Sequence, residues 1–345
     1  MALTSLTQAL AERDNDYSSI VAGYERRSGL SWHEALRPED VDAGPSLSVL
    51  IPARNVAYAL PAVLDSLLQA RRQVPVREII VVDDGSTDET AEIAAGHPAA
   101  DLVIAMPERR GAAVARNVAT LLARGETVLY LDADMLVSAG VLGEHTARAD
   151  SAGVLLGFRH NIAYDDERVR EPFRGEHRPS LEADYRVNWH ARAGRLLYTG
   201  TYLPEPVRAR PLDETDDLRA LGHAAVFYDW DLPRMVVTAL MSAPREAVVR
   251  VGGFHPDFGG GWGVEDTHLG AKLIAAGLKV VPLRHAVGFH VDPPDADAEW
   301  QRKLSLWERN IKLYRRLLGE PLTAGGDETL RARTEPLIDR CMEHS

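Results

Sequence analysis

Between Leu47 and Leu131 short apolar runs alternate with amphipathic stretches, and this rhythm restricts the possible folds more than any other feature. Leu47-Ser48-Val49-Leu50-Ile51 is a short apolar run, as expected of a parallel strand buried on both faces. Pro52-Ala53-Arg54-Asn55 stops it, and Leu60, Val63, Leu64, Leu67 and Leu68 then recur at helical spacing. Glu78 to Val82 predicts a second strand, running into Asp83-Asp84-Gly85-Ser86-Thr87-Asp88-Glu89. Ser86 and Glu89 have capping-box spacing, which predicts a helix start there. Leu102 to Ala105 reads as a third strand. After Gly111, a helix carries Val114, Val118, Leu121 and Leu122 on one face and closes at Gly125. Thr127 to Leu131 is a fourth strand. Strands and helices in this order predict an α/β chain with a right-handed, mostly parallel central sheet flanked by helices.

In such sheets ligands sit beyond the carboxyl ends of the strands. Three predicted strand ends carry polar clusters: Pro52 to Asn55, Asp83-Asp84, and Asp132-Ala133-Asp134. All three would open into one crevice. Residues i and i+2 of a strand share a face, so Asp132 and Asp134 could converge on one hard cation such as Mg²⁺ or Mn²⁺. A polar strand end or an Asp-initiated turn would explain the pair in isolation. A dinucleotide-binding domain wants Gly-x-Gly-x-x-Gly after its first strand, and neither that motif nor a P-loop is present.

The 345 residues can bury a large core, as one large domain or two intimate ones. A net charge of −12 gives no general attraction for nucleic acid or anionic lipid. The single cysteine, Cys341, excludes an intramolecular disulfide and a cysteine-based zinc site, and fits a reducing cytoplasm. The N-terminal residues hold no signal-peptide core, and no apolar run reaches the roughly 18 residues of a membrane span. A cytoplasmic protein without a transmembrane segment is expected, with peripheral attachment to a membrane left open.

The stretches Ser48 to Asn55, Val81 to Asp88, Gly111 to Asn117 and Leu131 to Asp134, in this order and spacing, resemble the family-2 glycosyltransferases of GT-A fold. The likeness covers about residues 46–292. It implies a Rossmann-like nucleotide-sugar-binding half over 46–150 and a smaller acceptor-binding half over 151–292. Residues 1–45 and 293–345 would be helical extensions. By this resemblance the donor is a nucleotide diphosphate-sugar, with UDP as the expected nucleotide. Pro52 and Asn55 would line its pocket, Asp83 or Asp84 would hydrogen-bond the base or ribose, and Arg116 would contact base or phosphate. Asp134 would bind Mn²⁺ or Mg²⁺ directly, with Asp132 shared between cation and ribose.

Beyond residue 150 the sequence is less regular. Val154 to Phe158 reads as a strand. His160, Tyr164, Trp189, His190, Tyr198, Tyr202 and Trp230 could line a sugar site, although core packing is the simpler expectation. Asp213-Glu214-Thr215-Asp216-Asp217 reads as a solvated loop. Residues 259–267 then hold four glycines, Trp262 and the acids Glu265 and Asp266. A helix is expected from Thr267, and a carboxylate at its N-terminus is favoured by the dipole, so a plain helix cap is one reading. The stretch Gly261-Trp262-Gly263-Val264-Glu265-Asp266 also resembles the acceptor motif of inverting GT-A transferases. That likeness makes Asp266 the general base and lets Glu265 hold an acceptor hydroxyl. The acceptor class is left open: a glycan, a lipid-linked sugar or a small metabolite. Leu278 to Pro282 and His285 to His290 look like two edge strands. Related enzymes complete the metal site with a histidine, for which His290 is the first candidate and His285 the second. Trp300, Leu304, Trp307, Ile311 and Tyr314 form a helical stripe, either a homodimer seam or a face packed on the catalytic domain, with packing expected.

The function these features imply is metal-dependent, inverting transfer of a sugar to an acceptor hydroxyl. Two alternatives share part of the pattern. A nucleotidyltransferase acting on a sugar phosphate would want a Gly-rich, basic first loop, which is missing. A non-catalytic nucleotide-sugar-binding protein would not need the full acid set.

Overall fold

A computed structural model describes residues 5–41, 44–184, 186, 231–320 and 325–343. Two helices come first, α1 (Leu6–Ala11) and α2 (Ser18–Ser28). The predicted alternation follows: β1 (Leu47–Ala53), α3 (Leu60–Ala70), β2 (Glu78–Asp83), α4 (Thr90–Gly96), β3 (Leu102–Ala105), α5 (Ala112–Leu122) and β4 (Thr127–Leu131). Next come β5 (Met135–Leu136), α6 (Ala139–Ala147), β6 (Gly153–Ala163), α7 (Glu167–Arg170), α8 (Asp231–Met235), β7 (Leu240–Pro244) and α9 (Arg245–Arg250). The described chain ends with α10 (Glu265–Ala275), β8 (Lys279–Asp292), α11 (Ala296–Leu318) and α12 (Gly326–Glu343).

Among the described residues eight strands form one sheet in the order β3-β2-β1-β4-β7-β6-β8-β5. Strands β1 to β4 are parallel to one another; β1, β2 and β4 are almost wholly buried, as their apolar runs require, while β3 at the sheet edge is partly exposed. Pro52 sits inside β1 without cost. The Ala53 carbonyl accepts from Asp84 N on the β2 side, so by alternation Pro52 faces β4, where pairing has already ended at Leu50. Beyond β4 the sheet is mixed. β7 runs antiparallel to both β4 and β6, and β8 runs parallel to β6 and antiparallel to β5. A single sheet thus carries both halves of the chain.

Three expectations change. Helix α4 starts at Thr90, later than the capping box suggested. The Ser86 hydroxyl is held by Asp83, and Asp88 accepts instead from the Thr90 backbone (3.1 Å) and hydroxyl (2.6 Å). The two edge strands at 278–290 are one strand, β8, lying between β6 and β5 with a shift in register opposite Leu156 and Phe158. Core packing, the simpler expectation for the aromatics, fits His160, which accepts from Ser180 N and packs on Phe289, but not Tyr164, which is exposed. Trp189, His190, Tyr198, Tyr202, Trp230 and residues 213–217 lie outside the described residues.

The N-terminal extension is fastened from the core outward. Arg148, 2% exposed, lies between the rings of Tyr24 and Trp32 at 4.7 and 4.6 Å and pairs with buried Glu144 at 2.7 Å. It also donates to the carbonyls of Trp32 and Glu34, while Glu144 accepts from Leu36 N. Removing one member of a buried pair strands the other charge, so Arg148→Ala is expected to lower stability by about 3–5 kcal/mol. Urea unfolding checks this; an unchanged midpoint would mean that water replaces the guanidinium.

Candidate active site

The carboxyl ends of β1, β2 and β4 open into a cleft of about 700 Å³, whose lining includes Pro52, Asn55, Asp84, Arg116, Asp132, Asp134, Glu265 and Asp266. The predicted convergence of strand ends is therefore present, and the two acidic motifs, far apart in sequence, face one space.

Asp132 and Asp134 follow β4, and His290 joins them from β8. The three offer ligand atoms within 4.8 Å of one another. The short strand β5 makes this contact possible: Met135 pairs with His290, and the Asp134 carbonyl accepts from Val291 N at 2.8 Å. Asp134 Oδ1 lies 3.3 Å from His290 Nε2, yet is buried and accepts no hydrogen bond. Its other oxygen accepts from the Tyr58 hydroxyl at 3.3 Å. Burial, then Asp132, pushes the Asp134 carboxyl above the ordinary range, and His290 opposes that. Two carboxylates and an imidazole, with an orphaned buried oxygen among them, fit a divalent cation and suit Mn²⁺ better than Mg²⁺. The far side of the His290 ring faces Asn161 Nδ2 (3.4 Å) and Asp292 (3.7 Å), the kind of outer partner that orients a metal-binding histidine. His285 stands apart from this cluster. It is exposed, with Nε2 3.0 Å from the His33 carbonyl.

Asp83 and Asp84 take different parts. Asp83 is buried and turned to Ser86, accepting from both its backbone and its hydroxyl. Asp84 lines the cleft but already accepts from Arg110 N (2.5 Å) and Gly111 N (2.8 Å), so it shapes the loop ahead of α5. Asn55 Oδ1 likewise accepts from Thr87 N at 2.8 Å, which knits the β1 and β2 loops together.

Arg116, expected to contact base or phosphate, lines the cleft and is also paired within the protein. Its guanidinium is buried and bridges the halves, with Nη2 2.9 Å from Asp132 and Nη1 3.0 Å from Glu265. Asn117, next in sequence, exchanges two hydrogen bonds of 2.8 Å with the Phe254 backbone. At the start of the same helix, Gly111 (φ 95°) meets Gly259 backbone to backbone. A Cβ on Gly111 would lie 2.4 Å from the Gly259 Cα. The Gly111-to-Asn117 motif thus ties the first half of the sheet to the loop around Phe254 and Gly259, which only tertiary contact reveals.

Glu265 and Asp266 occupy the first turn of α10, as expected. Asp266 Oδ1 accepts from Thr267 N at 2.7 Å. Burial, and then the charge of Glu265, pushes the Asp266 carboxyl up to about 7, with Arg116 opposing. A base titrating near neutral pH is suited to proton abstraction. Sequence reasoning missed Tyr58 and the wall supplied by α11, where Arg302, Lys303, Leu306 and Trp307 line the cleft. The helical stripe explains part of this: Trp307, Ile311 and Tyr314 are buried against the domain.

Comparison with known proteins agrees with this geometry. Residues 48–196 match the family model of glycosyl transferase family 2, and residues 220–292 match that described as the N-terminal domain of galactosyltransferase. Validoxylamine A glucosyltransferase of Streptomyces hygroscopicus subsp. jinggangensis is 31% identical over 259 residues, 71% of this chain and 55% of that protein. A PGL/p-HBAD biosynthesis glycosyltransferase of Mycobacterium tuberculosis is 39% identical over 142 residues, 37% of this chain and 55% of that protein. The chain thus spans about half the length of these curated relatives. Among solved structures, GalNAc-T7 with UDP, GalNAc and Mn²⁺ superposes at a TM-score of 0.50 with 18% identity, over 79% of this chain and 50% of that one, a likeness of fold. With four motifs in order, a mixed sheet of this topology and matching family models, the chain belongs to the family-2 glycosyltransferases of GT-A fold.

Proposed function

We propose that this cleft transfers a sugar from a nucleoside diphosphate-sugar, with UDP as the nucleotide, to an acceptor hydroxyl with inversion at the anomeric carbon. The observation that carries this reading is the placing of Asp132 and Asp134, clustered with His290, in one cleft with Asp266, whose carboxyl is raised to about 7. Asp266 takes the proton of the acceptor hydroxyl as that oxygen forms its bond to the anomeric carbon. The bond from that carbon to the diphosphate oxygen breaks on the opposite face, and its electron pair leaves with UDP. Mn²⁺ or Mg²⁺ held by Asp132, Asp134 and His290 would supply the positive charge that steadies the leaving diphosphate. Arg116 holds Asp132 and Glu265 in place, leaving Glu265 Oε2 to meet an acceptor hydroxyl. UDP-glucose is the first donor to try, because the 31%-identical relative carries the name of a glucosyltransferase.

The test is UDP release from a panel of UDP- and GDP-sugars in the presence of MnCl₂, with hydroxylated acceptors from sugars to cyclitols. Release of UDP with a β-linked product from an α-linked donor supports the reading. Pyrophosphate as product would point to nucleotidyl transfer, and UDP binding without turnover to a non-catalytic binder. No helix among the described residues is long and apolar enough to cross a membrane.

A further inference from the structure

Helix α11 lies beyond both segments matched to known families, yet it reaches into the acceptor side of the cleft. At its centre Asn310 is fully buried. Its Nδ2 donates to the carbonyl of Phe258 at 3.2 Å and to that of Gly263 at 2.8 Å, spanning the whole glycine loop. Gly261 lies so close that a Cβ there would sit 2.1 Å from Asn310 Oδ1. Directly after Gly263 comes Val264 with φ of 74°, a conformation that a β-branched residue keeps only where its surroundings hold it. Val264 is the N-cap of α10, and Glu265 and Asp266 are the next two residues. Lys303, two turns earlier on the same face of α11, stands over the Trp262 ring at 5.3 Å and pins the same loop.

We propose that Asn310 is a positioning residue of the acceptor half. By gripping both ends of the loop it enforces the strained turn at Val264 and so sets where Asp266 points. The inference rests on the sugar-transfer reading for its catalytic consequence, but the grip itself is testable without it. An amide suits this role: its NH₂ donates to two carbonyls at once without burying a charge, and a carboxylate in its place would face them with oxygen.

The experiment compares wild type with Asn310→Ala, Asn310→Asp and, approaching the contact from the loop side, Gly261→Ala. Amide hydrogen exchange over residues 258–266 is expected to quicken by about tenfold or more, with β1 to β4 unchanged, because the loop opens locally. Calorimetric binding of UDP with MnCl₂ should stay within about twofold, since the donor half is untouched. UDP release from UDP-glucose should fall by about tenfold or more in kcat, with the donor KM unaltered. A merely structural role would raise exchange throughout the sheet and weaken UDP binding as well, which would overturn the proposal. Unchanged exchange in the loop would overturn it too. Should wild type release no UDP from any donor while the loop responds as expected, the sugar-transfer reading falls and the grip of Asn310 on the loop stands.

Discussion

Asp134→Ala is expected to abolish Mn²⁺ binding and to lower sugar transfer by about 10³-fold, the effect of losing some 4 kcal/mol of charge stabilisation at the departing diphosphate. Several observations single out Asp134 over Asp132. Its Oδ1 is buried without a hydrogen bond, 3.3 Å from His290 Nε2. Asp132 is already neutralised by a charged partner, Arg116 at 2.9 Å, whereas the other oxygen of Asp134 meets only the Tyr58 hydroxyl at 3.3 Å. Mn²⁺ titration by calorimetry measures the loss directly, and UDP release measures its consequence. His290→Ala should weaken Mn²⁺ by less, because two carboxylates remain. A wild-type rate in Asp134→Ala, insensitive to chelator, would remove the metal from the mechanism.

Asp266→Asn is expected to lower kcat by about 10²–10⁴-fold with little change in donor KM, as for loss of a positioned base. The amide is isosteric and can still accept from Thr267 N, so the fold should persist. In the wild type the base form is the anion. With the carboxyl raised to about 7, kcat/KM should climb with pH through that value and be lost below it. A cation held at Asp132 and Asp134 favours the anion and moves this acid limb downward. The profile of UDP release from pH 5 to 9 checks the sign. A limb that falls toward high pH, or one that persists in Asp266→Asn, would assign the proton to another group.

The first half of the fold was legible because each strand of a parallel sheet covered on both faces must be apolar throughout. β1, β2, β3 and β4 could therefore be read within a residue or two. The second half obeys no such rule. β7, Leu240-Met241-Ser242-Ala243-Pro244, carries too mixed a pattern to announce that it would insert between β4 and β6. β5 is two residues long, below any periodicity, yet it brings His290 to Asp134. In the site, Asp132 and Asp134 stood out by their spacing together with their place beside two other polar strand ends. The ion pairs of Arg116 could not be read beforehand, because its two carboxylate partners lie 16 and 149 residues away in sequence. Asn310 left no local signal, since its purpose is set by carbonyls it meets only after folding.

The contact between Gly111 and Gly259 has a practical meaning for recombination. Family members can be recombined by grafting the stretch before residue 150 of one onto the stretch after it of another. Here such a graft crosses a seam where main chain touches main chain: a Cβ on Gly259 would lie 2.2 Å from the Arg110 carbonyl oxygen, just as one on Gly111 would strike Gly259. A hybrid must therefore inherit glycine on both sides of the seam, whatever the rest of its parentage. A library that varies either position alone will be filled with clones whose two halves cannot close.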